Sequence, residues 1–343
     1  MRDGRRTIAW VGGMFFMQYM EAEGFRVVRL PLTGPGAFAW EDIVAACGGP
    51  PDAVVYADRS LPPPLLGLES YPCLTAFHCI DSHIHAWYPA YAGAFDLCAV
   101  SLRDHLPRFA QELSPERIMW LPPFAEDRYR PRPRARKDYD LLFVGTVDLE
   151  TTPLRHAFLN RLYAAFPGLT VRRGDFAELF PRARVVLNIA ERGDLNFRVF
   201  EALACGTCLL TPRLANGQDE LFREGEHFAC YTPDDEHDAA DQARMLLSDG
   251  PHRQRLANAG LAAVDAGHRP AHRAADLARL LRRGFDAALP AARLAAPDTR
   301  RCGVLRLIFL HWAENCGDPA LAARYLAEAK RLAHAVNGHG AAA

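Results

Sequence analysis

Short apolar runs alternate with helical stretches through the first third of the chain. TIAWVGG reads as a strand ending in a glycine turn, and FRVVRLPL as the next strand. A helical piece around Trp40–Cys47 leads to PDAVVYAD, CLTAFHCID and FDLCAVS, three further strands that each end in polar residues. Strands separated by helices, with polar residues gathering at strand C-termini, predict an open parallel sheet. The opening MRDGRRTIAWVGGMFFMQYM imitates a signal peptide. It has no small-residue cleavage site and runs directly into EAEGFRVVRLPL, so it reads as the start of an α/β domain.

The texture changes over RIMWLPPFAEDRYRPRPRARK, where proline and arginine replace any helical period. This stretch reads as an interdomain connection. Its basic run, Arg128 to Lys137, is expected to be solvated. A second α/β series begins at DYDLLFVGT and continues with RVVLNIA, TCLLTP and HFACYT as strands. Helices are expected to start near Pro153 and Asn196, and another follows Pro233. From about Pro270 the chain is helical to its end, closing with DPALAARYLAEAKRLAHAV and a GHGAAA tail expected to fray. The apolar stripe Leu321, Tyr325, Leu326, Ala329 and Leu332 suits a helix covering the protein's own core. The pattern predicts residues 1–125 and 126–270 as two Rossmann-like domains and 271–343 as C-terminal helices.

Composition narrows the class further. Half of the 343 residues are hydrophobic and the formal charge is −1, so no global field collects nucleic acid or anionic membrane. Nine cysteines, scattered and mostly in apolar surroundings, favour free thiols and a cytoplasmic setting. No segment approaches the ~18 uninterrupted apolar residues of a membrane span.

The densest chemical signal is NIAERGDLNFRVFEALACGTCLLTP. A helix beginning near Asn196 is expected to point its first backbone amides and positive dipole end into the cleft above the sheet. Arg198 adds a cation with five donors, suited to a diphosphate. Glu201, one turn on, can accept from the two hydroxyls of a ribose. The same two residues also fit an ordinary i,i+3 surface pair.

NFRVFEALACGTCLLT, followed by ELFREGEHFACYTPDD, resembles the donor-binding signature of GT-B glycosyltransferases. It is most similar to the spore-maturation-protein-like branch, with its R-x-F-E-A-x-A-C-G and later E-L-F-x-x-G. RIMWLPPFAEDRYRP resembles that fold's crossover, DLLFVGT the second domain's first strand and glycine turn, and HRPAHRAADLARLL its returning helix. The resemblance spans roughly Ile8 to Arg282. It implies two Rossmann-like domains facing a cleft. It also implies a metal- and cofactor-independent transfer of a sugar, of hexosyl type, from a nucleotide-diphosphate donor. Glu201 would meet the ribose and Arg198 the diphosphate, with Asn196, Gly145 and Thr146 lining the same pocket. His78 would face the transferred sugar from the other domain. An inverting route needs a base at the acceptor hydroxyl, for which His78, Asp81 and His83 are the candidates. The acceptor class is open, whether protein, glycan, lipid or small molecule, and so is the stereochemical outcome. Retaining members of the largest branch carry a glutamate eight positions before Glu201, where this chain has Gly193. The usual basic residue after the glycine turn is also missing, and Arg155 is its candidate replacement.

Three rival readings stand beside this one. DSHIH, at Asp81–His85, places two imidazoles as a metal hydrolase would, although the later strands offer no further histidine. Cys205-x-x-Cys208 has no second pair to complete a zinc site and reads as packing. The absent glutamate also leaves room for a relative that binds a nucleotide sugar without turning it over.

Overall fold

The computed structural model describes residues 4–295 and 299–340, with side chains to residue 334; the last three residues of the GHGAAA tail lie outside the described residues. The chain divides into two compact units. One takes the chain up to Leu121 and again from Ala274, and the other takes Pro122–Arg273.

The first unit is built on β1 (Arg6–Gly12), β2 (Phe25–Pro31), β3 (Ala53–Ala57), β4 (Leu74–Cys79), β5 (Leu97–Val100) and β6 (Ile118–Trp120). They pair in the order β2-β1-β3-β4-β5-β6, every pair parallel. Strands β3, β4 and β5 are buried along their whole length, which is why AVVYA and LTAFHC read as continuous apolar runs and not as alternating ones. At the end of β1 the backbone of Gly12 has φ +97°, and a Cβ there would lie 2.2 Å from the Ala57 carbonyl oxygen. Only glycine permits that approach, and the next amide, that of Gly13, donates to the same oxygen at 2.9 Å.

Helices Leu289–Ala295, Thr299–Asn315 and Pro319–Gly340 belong to this unit. Leu305 and Phe309 of the second, with Leu321, Tyr325, Ala329 and Leu332 of the third, join the core that holds Tyr71 and Tyr91. Leu326, expected on the same apolar stripe, is instead 41% exposed, because the contacting face is narrower than the stripe. Arg293 fastens the first of these helices. It pairs with Asp96 at 2.9 Å, both side chains buried, and donates to the carbonyls of Glu69, Tyr71 and Cys73.

The second unit holds β7 (Tyr139–Val144), β8 (Leu169–Arg172), β9 (Ala183–Leu187), β10 (Cys208–Pro212) and β11 (Ala229–Tyr231), paired in parallel in the order β11-β10-β9-β7-β8. The chain leaves β7 outward to β8 and returns to β9 on the opposite side. The C-terminal ends of β7 and β9 therefore flank the switch point where ligands bind in such sheets. Two elements escape a reading by pattern. Strand β8, LTVR, is an edge strand with only Leu169 buried. Helix Gly250–Gly267 is alanine-rich with scattered polar residues, and it buries only Leu256, Ala257, Gly260 and Val264.

The basic residues from Arg128 to Lys137 are exposed, as expected, but the Pro/Arg stretch around them is not a loose tether. Ala125 donates to the His268 carbonyl, Arg269 to the carbonyls of Glu126 and Tyr129, and Arg273 to those of Pro122 and Pro123. Arg128 and Arg132 reach Asp175 and Glu178, and Lys137 the carbonyls of Pro181 and Ala183. Backbone carbonyls in an irregular segment still need partners, and arginines from helix Pro270–Asp286 and its approach supply them.

Candidate functional site

In the second unit the predicted donor residues fall at the switch point. Strand β7 ends at Gly145, whose amide donates to the Arg172 carbonyl at 3.0 Å. A Cβ on Gly145 would sit 3.3 Å from Nη2 of Arg198, so the missing side chain is what lets the guanidinium lie against the turn. The following loop is held by Asp148, which accepts from the amides of Glu150 and Thr151. That loop delivers Arg155 in the first turn of helix Pro153–Ala165. Its guanidinium donates to the Thr146 carbonyl at 2.8 Å and pairs with Glu191 at 3.2 Å, while its backbone amide donates to the same carboxylate. Gly145, Thr146, Arg155 and Arg198 are thus brought together.

Arg198 belongs to helix Phe197–Ala204, which ends at Gly206 (φ +64°), the left-handed position expected of a C-terminal glycine. Asn196 is the N-cap residue, extended at φ −87°, ψ 165°, yet its side chain caps nothing. Its Nδ2 reaches the Ile189 carbonyl at 3.4 Å, and its buried Oδ1 has no partner among the described residues. The first amides of the helix are therefore left without a side-chain cap. Arg198 lies over the rings of Phe143 and Phe176, at 5.2 and 5.5 Å, and donates to Oδ1 of Asn188 at 3.3 Å. Burial, then the neighbouring Arg155 charge, lowers its pKa. Two cations beside an uncapped helix start form a site with an unmet demand for negative charge.

Glu201 does not project towards these cations alone. It faces the hydroxyl of buried Tyr129, in the segment following the linker prolines, and burial pushes its carboxyl up to about 7. Tyr129 also accepts from Arg128 at 2.7 Å. Asn188, which the motif reading passed over, is a hub: fully buried, it donates to Thr211, accepts from Arg198, and its carbonyl accepts from Tyr231. Its position at the end of an apolar strand was the available signal. A cavity of about 250 Å³ opens beside Arg155, between Leu154, Phe158, Glu191, Tyr231 and Asp234. Of the predicted donor residues it touches only Arg155. Gly193, where the first glutamate of the two-glutamate pattern would fall, has φ +68°, and Glu191 is committed to Arg155.

In the first unit His78, Asp81 and His83 follow one another at and beyond the end of β4, but in different settings. His78 is only 3% exposed and packs against the rings of Phe15 and Phe16, with centroids 5.6 and 5.3 Å away. Asp81 is half-buried and accepts a short hydrogen bond from the Ser60 hydroxyl. The His85 ring lies beside the Ser60 carbonyl and the His105 ring beside that of Ser82. Burial lowers the pKa of both imidazoles. Among the described residues no three His, Cys, Asp or Glu side chains gather as metal ligands, so DSHIH stands without a third ligand. Cys205 and Cys208 are buried thiols, each pushed up to about 12 by burial. No helix among the described residues is long and apolar enough to cross a membrane.

Residues 141–279 match the family model described as glycosyl transferase-like. No curated protein matches the sequence. Among solved structures, a glycosyltransferase from Rickettsia africae ESF-5 is similar at 8% identity with a TM-score of 0.57, covering 82% of this chain and 99% of that one. Anabaena HepE, solved with UDP and glucose, is similar at 13% identity and 0.57, covering 81% and 99%. A sucrose-phosphate synthase from Thermosynechococcus elongatus stands at 12% and 0.56, covering 82% and 100%. Two parallel α/β sheets with a helical C-terminal region thus give this chain the GT-B fold of glycosyltransferases, and its glycosyl transferase-like segment carries the cationic site at the β7–β9 switch point.

Proposed function

We propose that this chain is a glycosyltransferase that moves a hexosyl group from a nucleotide-diphosphate sugar to an acceptor hydroxyl. The observation that carries the reading is Arg198. It is largely buried, its Nε has no partner among the described residues, and its hydrogen-bonding partner is a neutral amide, beside a helix start left without a side-chain cap. A diphosphate meets that demand. As the bond to the sugar breaks, charge grows on the leaving phosphate, and a fixed guanidinium with oriented amides stabilises it without a metal. Arg155 supports the same charge from the loop after β7, with Gly145, Thr146 and Asn196 shaping the pocket wall. In its charged form Glu201 accepts from the ribose hydroxyls. The HepE structures hold UDP, which supports a nucleotide at this kind of site.

Asp81, with His78 and His83, forms the acceptor side of the proposal. The R-x-F-E-A-x-A-C-G stretch supports the spore-maturation-protein-like branch as the finer family, and nine free thiols support a cytoplasmic setting. A second reading, a nucleotide-sugar binder without turnover, draws on Gly193 standing where retaining enzymes carry a glutamate.

The test is thermal unfolding against a panel of nucleoside diphosphates and their sugars, with and without chelator. A ligand specific for the native state, at ~100 times its Kd, stabilises by about 2.7 kcal/mol. The expected result is a base-selective shift that survives chelation and disappears in Arg198→Ala. A shift equally large in Arg198→Ala would remove the assignment. Binding without any sugar release would favour the second reading.

A further inference from the structure

The loop that follows β3 contains an expense that packing does not explain. Ser60 has φ +53°, a left-handed backbone that glycine adopts freely and serine rarely does. A turn needed only for its shape would be met by glycine. What serine adds is its hydroxyl, and that hydroxyl donates to Oδ2 of Asp81 in the loop after β4.

Both loops are fastened to one group. Asp58, at the end of β3, is 1% exposed. Its Oδ1 accepts from the Ser60 amide at 2.8 Å and the Tyr88 hydroxyl at 2.5 Å, and its Oδ2 from the amides of Ile80 and Asp81 at 3.1 and 2.8 Å. Four donors, and no ion pair among the described residues, hold this carboxylate. The His85 ring packs nearby, beside the Ser60 carbonyl. The result is a rigid frame in which Asp81, half-buried, is the carboxylate left nearest the surface.

We infer that Asp58 and Ser60 are positioning residues that hold Asp81 as the base for the acceptor hydroxyl; the inference rests on the glycosyltransferase reading above. In the step, Asp81 takes the hydroxyl proton while the acceptor oxygen bonds to the anomeric carbon. The bond from that carbon to the diphosphate oxygen breaks, and the nucleoside diphosphate leaves with the electron pair. The proton passes from Asp81 to solvent. Attack opposite the leaving group inverts the anomeric carbon. His78, closed in by Phe15 and Phe16, is not the base in this scheme.

Ser60→Gly separates the two roles of the serine, because it relieves the backbone and deletes the hydroxyl. The full-length variant is expected to unfold roughly 2–4 °C higher than the parent. With UDP-glucose as donor and water as acceptor, UDP release is expected to fall by about tenfold or more in kcat, with KM and the Kd for UDP unchanged. Asp81→Asn should lose at least as much, and the first glucose released by the parent should be the β anomer. Ser60→Asn, which tolerates the left-handed backbone and restores a donor, should recover part of the rate. A lower unfolding temperature for Ser60→Gly would make the hydroxyl a structural brace and overturn the inference. Undiminished UDP release in Ser60→Gly would overturn it as well. A parent protein that binds no UDP and no UDP-glucose would count against the donor reading, and the unfolding temperature would still decide the role of Ser60.

Discussion

The two units use the same architecture to opposite electrostatic ends. Both present the C-terminal ends of parallel strands, where loops are free to carry chemistry. In the second unit those ends hold Arg155 and Arg198 beside an uncapped helix start, and the nearby carboxylate Glu191 is consumed by Arg155. In the first unit they hold carboxylates, imidazoles and aromatic rings: Asp58, Asp81, His85 and His105, with Phe15 and Phe16 over His78. One end sets Arg155 and Arg198 side by side, and the other gathers carboxylates and imidazoles around Asp58 and Asp81. Sugar transfer from a diphosphate needs both, since the leaving group gains charge as the attacking hydroxyl loses a proton. The contrast shows that the sheet supplies geometry alone, and that loop residues decide which half of a reaction each sheet end can serve.

The comparison can be strained at several points, beginning with the largest effect. Arg293→Ala leaves Asp96 buried without its cation, a change that costs about 3–5 kcal/mol in comparable buried pairs. Hydrogen exchange should show the first unit opening while amides of the second keep their protection; equal loosening of both would mean the units do not differ in this way. Arg198→Ala is expected to reduce donor turnover roughly 100- to 1000-fold with the unfolding temperature little changed. If UDP titrated by calorimetry binds this variant as it binds the parent, the positive end has been placed wrongly.

Glu201 sharpens the picture through pH. Its folded-state carboxyl is raised by burial to about 7, above its ordinary value of 4.5. Between those values the folded chain therefore holds more protons than the unfolded chain. Stability falls as pH rises through this window, by up to ~3 kcal/mol above pH 7. Glu201→Gln should flatten that fall when urea unfolding is compared at pH 5 and pH 8. UDP affinity in the parent should improve towards pH 8 as the carboxylate becomes able to accept from the ribose. An affinity independent of pH would detach Glu201 from the nucleotide. The smallest effect belongs to His78→Ala. Emptying the space against Phe15 and Phe16 should lower stability by about 1–3 kcal/mol. A variant as stable as the parent but without turnover would restore His78 to the reaction.

Much of the scaffold was legible along the chain because parallel strands buried on both faces leave unbroken apolar runs. AVVYA, LTAFHC and RVVL can be seen for that reason. Strand β8 left no such mark, since an edge strand with one buried residue has nothing to repeat. Helix Gly250–Gly267 hid because alanine supplies its contact face without contrast. The cationic set was readable because Asn196, Arg198 and Glu201 share one helix, where spacing fixes direction.

The partners of those residues were not readable. Tyr129 lies 72 positions before Glu201 by the chain numbering, in a segment whose composition suggested a loose tether. Asp58 and Asp81 lie 23 positions apart, and neither motif nor period marks Asp58 as more than a polar strand end. By itself, the sequence determined the strands, the helix starts and which side chains share a helical face, because these follow from local periodicity and backbone preference. Tertiary structure alone decided that Glu201 is buried under a tyrosine, that His78 is enclosed while Asp81 is held open, and that a strained serine faces a carboxylate. Burial and hydrogen-bond pairing depend on which distant segments the fold brings together, and no local pattern encodes that.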